Sequence, residues 1–239
     1  MAGGLGKRMN SDLPKVLHKI LNTPMLVCVI EESIKLNPSK IIIVVGKYRD
    51  VIEKTVNQYV DIREHNIVFV DQPHANGTGH AIQCCATTLK QDNAKFTIIL
   101  SGDVPLLKSD TMREILKNVN KVKITTAEFD NSTGYGRIAE VDSTFVKIVE
   151  EKDCSTEEKN IKKINGGIYA FDIETLCKYL PYLSNNNSQN EYYLTDIVEI
   201  IKTNENIEID MFNITPDKHH EIMGINTTDQ LLELEKLMV

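Results

Sequence analysis

The sequence predicts an α/β fold with a mostly parallel central sheet and a smaller mixed or antiparallel extension, on three observations. Continuous β-branched runs such as Lys40-Ile41-Ile42-Ile43-Val44-Val45 read as strands buried on both faces. Apolar residues at helical spacing lie between those runs, and strand–helix alternation implies right-handed βαβ units. From about Lys121 the texture changes to short strand-like pieces without full helices between them.

Taken in order, the chain opens on Gly3-Gly4-Leu5-Gly6-Lys7-Arg8-Met9, followed by Leu13-Pro14-Lys15. A glycine loop lets backbone N–H groups approach an anion, and Arg8 and Lys15 add fixed positive charge. Chemistry on a phosphate chain needs both, because negative charge must be held while a P–O bond breaks. A Walker A loop is excluded, since Arg8 follows Gly6-Lys7 where a Ser or Thr would bind Mg²⁺. A dinucleotide fingerprint is excluded by its missing third glycine. On these residues alone a flexible glycine-rich terminus remains an equal reading.

Helices are expected over 25–36 and 50–60, and strands over 40–45, 67–70 and 96–100. Ile82, Cys85, Ala86 and Leu89 define one further helix, and Met112, Ile115, Leu116 and Val119 another. The extension holds strands over 122–129, 136–140, 146–150 and 167–171. Helices return over 173–183 and 194–202, then a strand over 207–213 and a last helix over 228–238. One domain accounts for the 239 residues: a nucleotide-binding half to about 120, a second half over about 121–226, and a terminal helix. In open parallel sheets ligands bind beyond the carboxyl ends of strands, where Gln72 and Asp103 fall. Asp103 after Gly102 suits a Mg²⁺ ligand, and equally a turn or N-cap aspartate.

Hydrophobic content of 41% and charged content of 26% describe an ordinary globular chain. A net charge of −7 argues against nonspecific nucleic-acid binding, so the positive charge of Lys7, Arg8 and Lys15 is a local exception. No apolar run is long enough to span a bilayer or to form a signal peptide. Five cysteines without Cys-x-x-Cys spacing are expected as reduced thiols in a cytoplasmic protein, which leaves the Asn-x-Ser/Thr triplets unglycosylated.

The ordered motifs resemble those of the sugar-1-phosphate nucleotidyltransferases. They are Ala2 to Met9, Leu13-Pro14-Lys15-Val16-Leu17-His18, Gly77-Thr78-Gly79-His80-Ala81, Gly102-Asp103-Val104-Pro105-Leu106 and Thr133-Gly134-Tyr135-Gly136-Arg137-Ile138. They continue with Ile148-Val149-Glu150-Glu151-Lys152-Asp153, Ile164-Asn165-Gly166-Gly167-Ile168, Glu191-Tyr192-Tyr193-Leu194-Thr195-Asp196 and Gly224-Ile225-Asn226. More narrowly, the chain is similar to the N-acetylglucosamine-1-phosphate uridylyltransferase (UDP-N-acetylglucosamine pyrophosphorylase) domain of bacterial bifunctional enzymes. The resemblance implies a Rossmann-like nucleotide-diphospho-sugar transferase fold and UMP transfer from UTP to N-acetylglucosamine-1-phosphate. Another sugar, such as glucose-1-phosphate, and a nucleotide-sugar-binding regulator without turnover are the alternatives.

The resemblance also implies roles. Arg8 and Lys15 are the catalytic cations, neutralising the transferring phosphoryl group. Ala2, Gly3, Gly4, Lys15, Gln72, Gly77, Thr78, Gly102 and Asp103 bind the nucleotide; Gly136, Glu150, Asn165 and Asn226 bind the sugar. Asp103 and Asn226 hold Mg²⁺. Tyr192, Tyr193 and Thr195 line the sugar pocket or pack beside it, and His80 is structural. The chain departs from the family at Lys7, where Thr is usual, and has no room for the acetyltransferase domain. The apolar strand before the glycine loop is absent, which is expected to leave that loop short of edge support; an upstream start or a stabilising extension would supply it.

Overall fold

The computed structural model describes residues 1–4, 9 and 11–237, so Arg8 and Lys7 lie outside the described residues. It divides into two compact units that interleave along the chain. The first comprises Met1–Ala75, Leu100–Arg113 and His220–Val239; the second comprises Asn76–Ile99 and Glu114–His219.

In the first unit a 3₁₀ turn at Lys15–Leu17 leads into a hairpin of β1 (Lys19–Ile20) and β2 (Thr23–Pro24). Leu21 and Asn22 form its two-residue turn at φ 43 and 72, the left-handed pair that suits strand twist. Helix α1 (Met25–Ile34), β3 (Ile41–Val45), α2 (Arg49–Tyr59) and β4 (Ile67–Asp71) follow, and β3 and β4 pair in parallel. Only the carboxyl half of β3 is fully buried, and Val68, Phe69 and Val70 of β4 are half-buried, because β4 pairs with β3 alone. Expectation of burial on both faces is therefore corrected for β4.

Where a strand was expected to be missing, Met1 and Ala2 hydrogen-bond to both flanks. The Met1 nitrogen donates to the Leu100 carbonyl at 2.7 Å, Gly102 N–H donates to the Met1 carbonyl at 2.9 Å, and Ala2 N–H donates to the Val44 carbonyl at 2.8 Å. That pattern is parallel pairing, and it supplies the residues before the glycine loop with edge support. Two apolar clusters hold the unit together. Leu17, Val27, Ile30, Val45, Ile52 and Ile67 join α1 and α2 to the strands. Ile20, Met25, Leu106, Ile225, Leu231 and Leu234 seat the last helix, Thr228–Leu237, on the hairpin.

The second unit begins with α3 (Thr78–Lys90) and β5 (Phe96–Ile99); α4 (Ser109–Leu116) runs across the boundary. Then come β6 (Val122–Glu128), β7 (Arg137–Val141), β8 (Thr144–Val149), β9 (Lys163–Asp172), α5 (Ile173–Tyr179), α6 (Asp196–Glu205) and β10 (Asp210–Asn213), with α7 (Thr228–Leu237) back in the first unit. The six-stranded sheet has order β10-β6-β9-β7-β8 with β5 beside β9, and only β10–β6 is parallel. Helix α5 stops four residues short of the 173–183 expectation and tightens into a 3₁₀ turn at Leu180–Tyr182, because Pro181 lacks an N–H and its ring crowds the preceding turn.

Strand β9 carries Asn165, one of the candidate residues. Against β6 its register shifts between Ile124 and Thr126, so Thr126 faces Asn165 while Ile124 faces Tyr169. Thr125 fills that irregularity: its hydroxyl donates to the Ile168 carbonyl at 3.0 Å and accepts from Ile168 N–H. The two halves of β9 then serve different neighbours, Ile164 pairing with β7 and residues 169–172 with β5.

Candidate active site

In the first unit Gln72 and Gly3, both expected to bind the nucleotide, meet beyond the carboxyl ends of β3 and β4. Gln72 N–H donates to the Val45 carbonyl at 2.7 Å, extending the parallel ladder by one residue and burying Gln72 to 7% exposure. Its side-chain oxygen lies 2.9 Å from where a Cβ on Gly3 would stand, so a larger residue there would push the Gln72 amide aside. Ala2 and Gly102 are buried and Gly4 is exposed.

In the same unit, charged and polar groups far apart in the chain meet at Lys15. The Lys15 ammonium is ion-paired with the Asp103 carboxylate and donates to Asn226 Oδ1 at 2.7 Å. The Lys15 and Asp103 side chains are 14% and 23% exposed. Backbone geometry holds the two acceptors together independently of the lysine: Ile225 N–H donates to the Asp103 carbonyl at 2.9 Å. Two hard oxygens thus converge on one cation position. No group of three or more His, Cys, Asp or Glu occurs among the described residues. Mg²⁺ does not require one, since it often takes one or two protein oxygens and completes its octahedron with phosphate and water. The donor set fits that ion.

The second unit gathers the remaining candidates. Gly77 has φ 102, and a Cβ there would fall 2.5 Å from the Tyr192 carbonyl oxygen, so this position demands glycine twice over. Gly79 N–H donates to that same carbonyl at 2.7 Å, Tyr192 N–H donates to the Asn76 carbonyl at 2.8 Å, and Thr78 Oγ1 accepts from Leu194 N–H at 3.0 Å. The Gly-Thr-Gly and Tyr-Tyr-Leu-Thr motifs, more than a hundred residues apart, form one stitched structure. His80 lies in the first turn of α3 with its ring 6.3 Å from that of Tyr192.

Gly136, Glu150 and Asn165 come together. Asn165 N–H donates to the Gly136 carbonyl at 2.9 Å, and the position of a Cβ on Gly136 is 3.5 Å from the Val149 carbonyl oxygen, one residue before Glu150. Asn165 Nδ2 donates to the Tyr169 hydroxyl at 2.6 Å and its Oδ1 accepts from Gly167 N–H at 3.2 Å. In a regular strand, residues four apart are separated by roughly 13 Å. The β9 irregularity and the reach of the tyrosine bring these two groups into contact. Tyr169 therefore orients Asn165, a role that sequence reasoning missed and that no strand periodicity signals.

Glu150 is held by Thr195, whose hydroxyl donates to Oε1 at 2.9 Å. Thr195 is the N-cap of α6, yet it makes no side-chain cap bond: its hydroxyl serves Glu150 instead. Burial raises the Glu150 carboxyl above the usual range, opposed by the Thr195 bond and reinforced by Asp153. Asp196 is pushed up to about 6, by burial first and then by Glu150, Glu199 and Asp153. Tyr193 is buried and donates to Asp153 Oδ2 at 3.0 Å, so it braces the wall. Arg137 closes the Thr-Gly-Tyr-Gly-Arg motif. It is buried, pairs with Glu151 at 2.8 Å, and so fixes the turn before Gly136 through Glu151, which also accepts from Gly134 N–H.

The predicted nucleotide residues are therefore divided. Ala2, Gly3, Gly4, Lys15, Gln72, Gly102 and Asp103 belong to the first unit, Gly77 and Thr78 to the second. Asn226, expected to touch both metal and sugar, stands with Lys15 and Asp103, apart in unit from Gly136, Glu150 and Asn165. Arg8 lies outside the described residues.

Residues 1–149 match the MobA-like NTP transferase domain family. A protein of Acanthamoeba polyphaga mimivirus named "Probable UDP-N-acetylglucosamine pyrophosphorylase" is 41% identical over 99% of this chain and 94% of its own length. The "Bifunctional protein GlmU" of Caldanaerobacter subterraneus subsp. tengcongensis is 39% identical over 100% of this chain, and that of Clostridium botulinum is likewise 39% identical. The chain spans about half the length of these bacterial relatives, 50% and 51%. Among solved structures, a UDP-glucose pyrophosphorylase complexed with UDP-glucose superimposes with TM-score 0.73 at 17% identity, covering 99% of this chain and 96% of that one. At that identity the likeness is one of fold, and it is the fold expected from the sequence. No helix among the described residues is long and apolar enough to cross a membrane.

Proposed function

Because the chain belongs to the MobA-like NTP transferase family, we propose that it transfers UMP from UTP to N-acetylglucosamine-1-phosphate, forming UDP-N-acetylglucosamine and releasing pyrophosphate. The observation that carries the transfer chemistry is the convergence of Asp103 and Asn226 oxygens on one cation position at Lys15. The sugar assignment rests on the Gly136, Glu150 and Asn165 cluster together with the mimivirus relative. A carboxylate and an oriented amide match hydroxyls and an acetamide.

The sugar phosphate oxygen attacks the α-phosphorus of UTP in line, a new P–O bond forms, and the α–β bond breaks as pyrophosphate leaves. The nucleophile is a phosphate monoester with a second pKa near ~6, so it is already ionised at neutral pH and no side-chain base is needed. The N–H groups of the glycine loop hold phosphate oxygens, and Arg8 and Lys15 offset charge that builds on the transferring group. Gln72, Gly77 and Thr78 receive the uracil, the amide offering donor and acceptor together. Asp103 and Asn226 would hold Mg²⁺, which would supply charge neutralisation at the phosphates. Catalysis is then positioning plus electrostatics. A cytoplasmic location goes with these substrates.

Incubating the protein with Mg²⁺, UTP and N-acetylglucosamine-1-phosphate tests the reading. Stoichiometric pyrophosphate and UDP-N-acetylglucosamine are expected; the absence of both from folded protein contradicts it.

A further inference from the structure

Lys15 meets the same two oxygens that are assigned to the divalent cation. Its ammonium is paired with Asp103 and donates to Asn226 Oδ1 at 2.7 Å. A Mg²⁺ ion needs those oxygens at about 2.0–2.1 Å, and a second cation among the same acceptors would be repelled in a partly buried site. Ammonium and metal therefore exclude each other. We infer that Lys15 is a built-in competitor for the metal position: the divalent cation enters as the lysine leaves, and the lysine then turns to the triphosphate. The inference rests on the metal assignment made above.

The surroundings are built for exchange at the side chain alone. The Lys15 backbone is fixed: Leu17 N–H donates to the Pro14 carbonyl at 2.8 Å, His18 N–H donates to the Lys15 carbonyl at 3.2 Å, and Val16 and Leu17 are buried. What remains free to move is a four-carbon stem with a charged end. The acceptors stay in place without it. Ile225 N–H ties the Asp103 and Asn226 segments together, Asn226 N–H is anchored on Gln230 Oε1 at 2.7 Å, and Asn226 Nδ2 is directed to the Gly224 carbonyl at 3.5 Å, which leaves Oδ1 facing the cation position. When the lysine leaves, two converging oxygens remain.

A consequence is that metal and nucleotide help each other. Free protein is tuned against free divalent cation, because each metal ion must displace an ion pair. A bound triphosphate offers Lys15 another anionic partner and removes that cost, and by reciprocity the metal favours nucleotide binding.

The test is Mn²⁺ binding to the full chain without nucleotide, read by the electron paramagnetic resonance signal of free Mn²⁺. Lys15→Met and Lys15→Gln, two neutral replacements of different polarity, are expected to bind Mn²⁺ about tenfold more tightly than wild type or better, equivalent to ~1.4 kcal/mol. Lys15→Arg, which keeps the charge, is expected to stay weak. Adding Asp103→Asn to Lys15→Met is expected to abolish the gain. If both neutral variants bind no more tightly than wild type, competition is overturned; the metal assignment survives that result provided Asp103→Asn weakens wild-type binding. If the gain persists after Asp103→Asn, the ion sits elsewhere and both readings fall.

Discussion

The two clusters are held in opposite ways. Lys15, Asp103 and Asn226 are separated by 88 and 211 residues along the chain, remain partly exposed, and meet through charge. Asn165 on β9 and Gly136 and Glu150 at the strand ends beside it are held by neutral partners. The Thr195 hydroxyl donates to Glu150, the Tyr169 hydroxyl accepts from the Asn165 amide, and Asn165 exchanges bonds with backbone groups of Gly136 and Gly167. The first arrangement suits partners that exchange, as phosphates and cations must through a turnover. The second suits a shape that does not change, as selection of one sugar requires.

The charged cluster gives the largest expected effect. Asp103→Ala should lower kcat by about a hundredfold or more, since a lost metal-borne term costs several kcal/mol of barrier. A rate near wild type at limiting Mg²⁺ would break the comparison at its first half. Lys15→Ala should come next, reducing kcat more than it raises KM for UTP. If only KM moves, the lysine is a binding contact and its transition-state role is wrong.

The neutral cluster should respond more mildly and on a different substrate. Tyr169→Phe leaves the Asn165 amide without its 2.6 Å partner, at a cost of about 1–3 kcal/mol for an unpaired buried group. KM for the sugar phosphate should rise several-fold while KM for UTP holds. Steady-state kinetics with each substrate varied in turn decide this; equal changes in both would mean general loosening of the fold.

The smallest effect is on stability. Asp196 has a folded pKa of about 6 against a reference of 3.8, so the native chain holds this proton more tightly than the unfolded chain. The stabilisation is present below about 4 and is lost as pH rises through about 6. Asp196→Asn removes that loss, so the variant should gain roughly 1 kcal/mol on wild type between pH 4 and pH 7, an amount discounted for partial exposure. Urea denaturation at both pH values measures it, and an unchanged difference would show that burial, with Glu150 and the other nearby carboxylates, does not raise this carboxyl.

Legibility in the sequence follows the same division. The strands 41–45, 67–71 and 96–99 and their helices are visible as β-branched runs and 3.6-residue periods, because burial dictates both. Residue type and spacing also pick out Gly3, Lys15 and Asp103. Pairing is less legible: β5 joins β9 antiparallel across more than seventy residues, which no local pattern encodes. Nor does any motif show that Tyr192 closes on Gly77, that Thr195 forgoes capping to hold Glu150, or that Tyr169 reaches Asn165 around a register shift. These depend on tertiary geometry. Nor does the sequence show that Met1 and Ala2 hydrogen-bond to Leu100 and Val44.

The sharpest measurement is the ratio of kcat/KM for N-acetylglucosamine-1-phosphate to that for glucose-1-phosphate, with UTP and Mg²⁺ saturating. On the proposed reading, a pocket built for an acetamide would leave polar groups unpaired when only a hydroxyl arrives, at about 1–3 kcal/mol each, so the ratio should be about tenfold or more in wild type. Asn165→Ala should compress it. A wild-type ratio near one would contradict the assignment of the fixed cluster to the acetylated sugar and place the protein with the glucose enzymes.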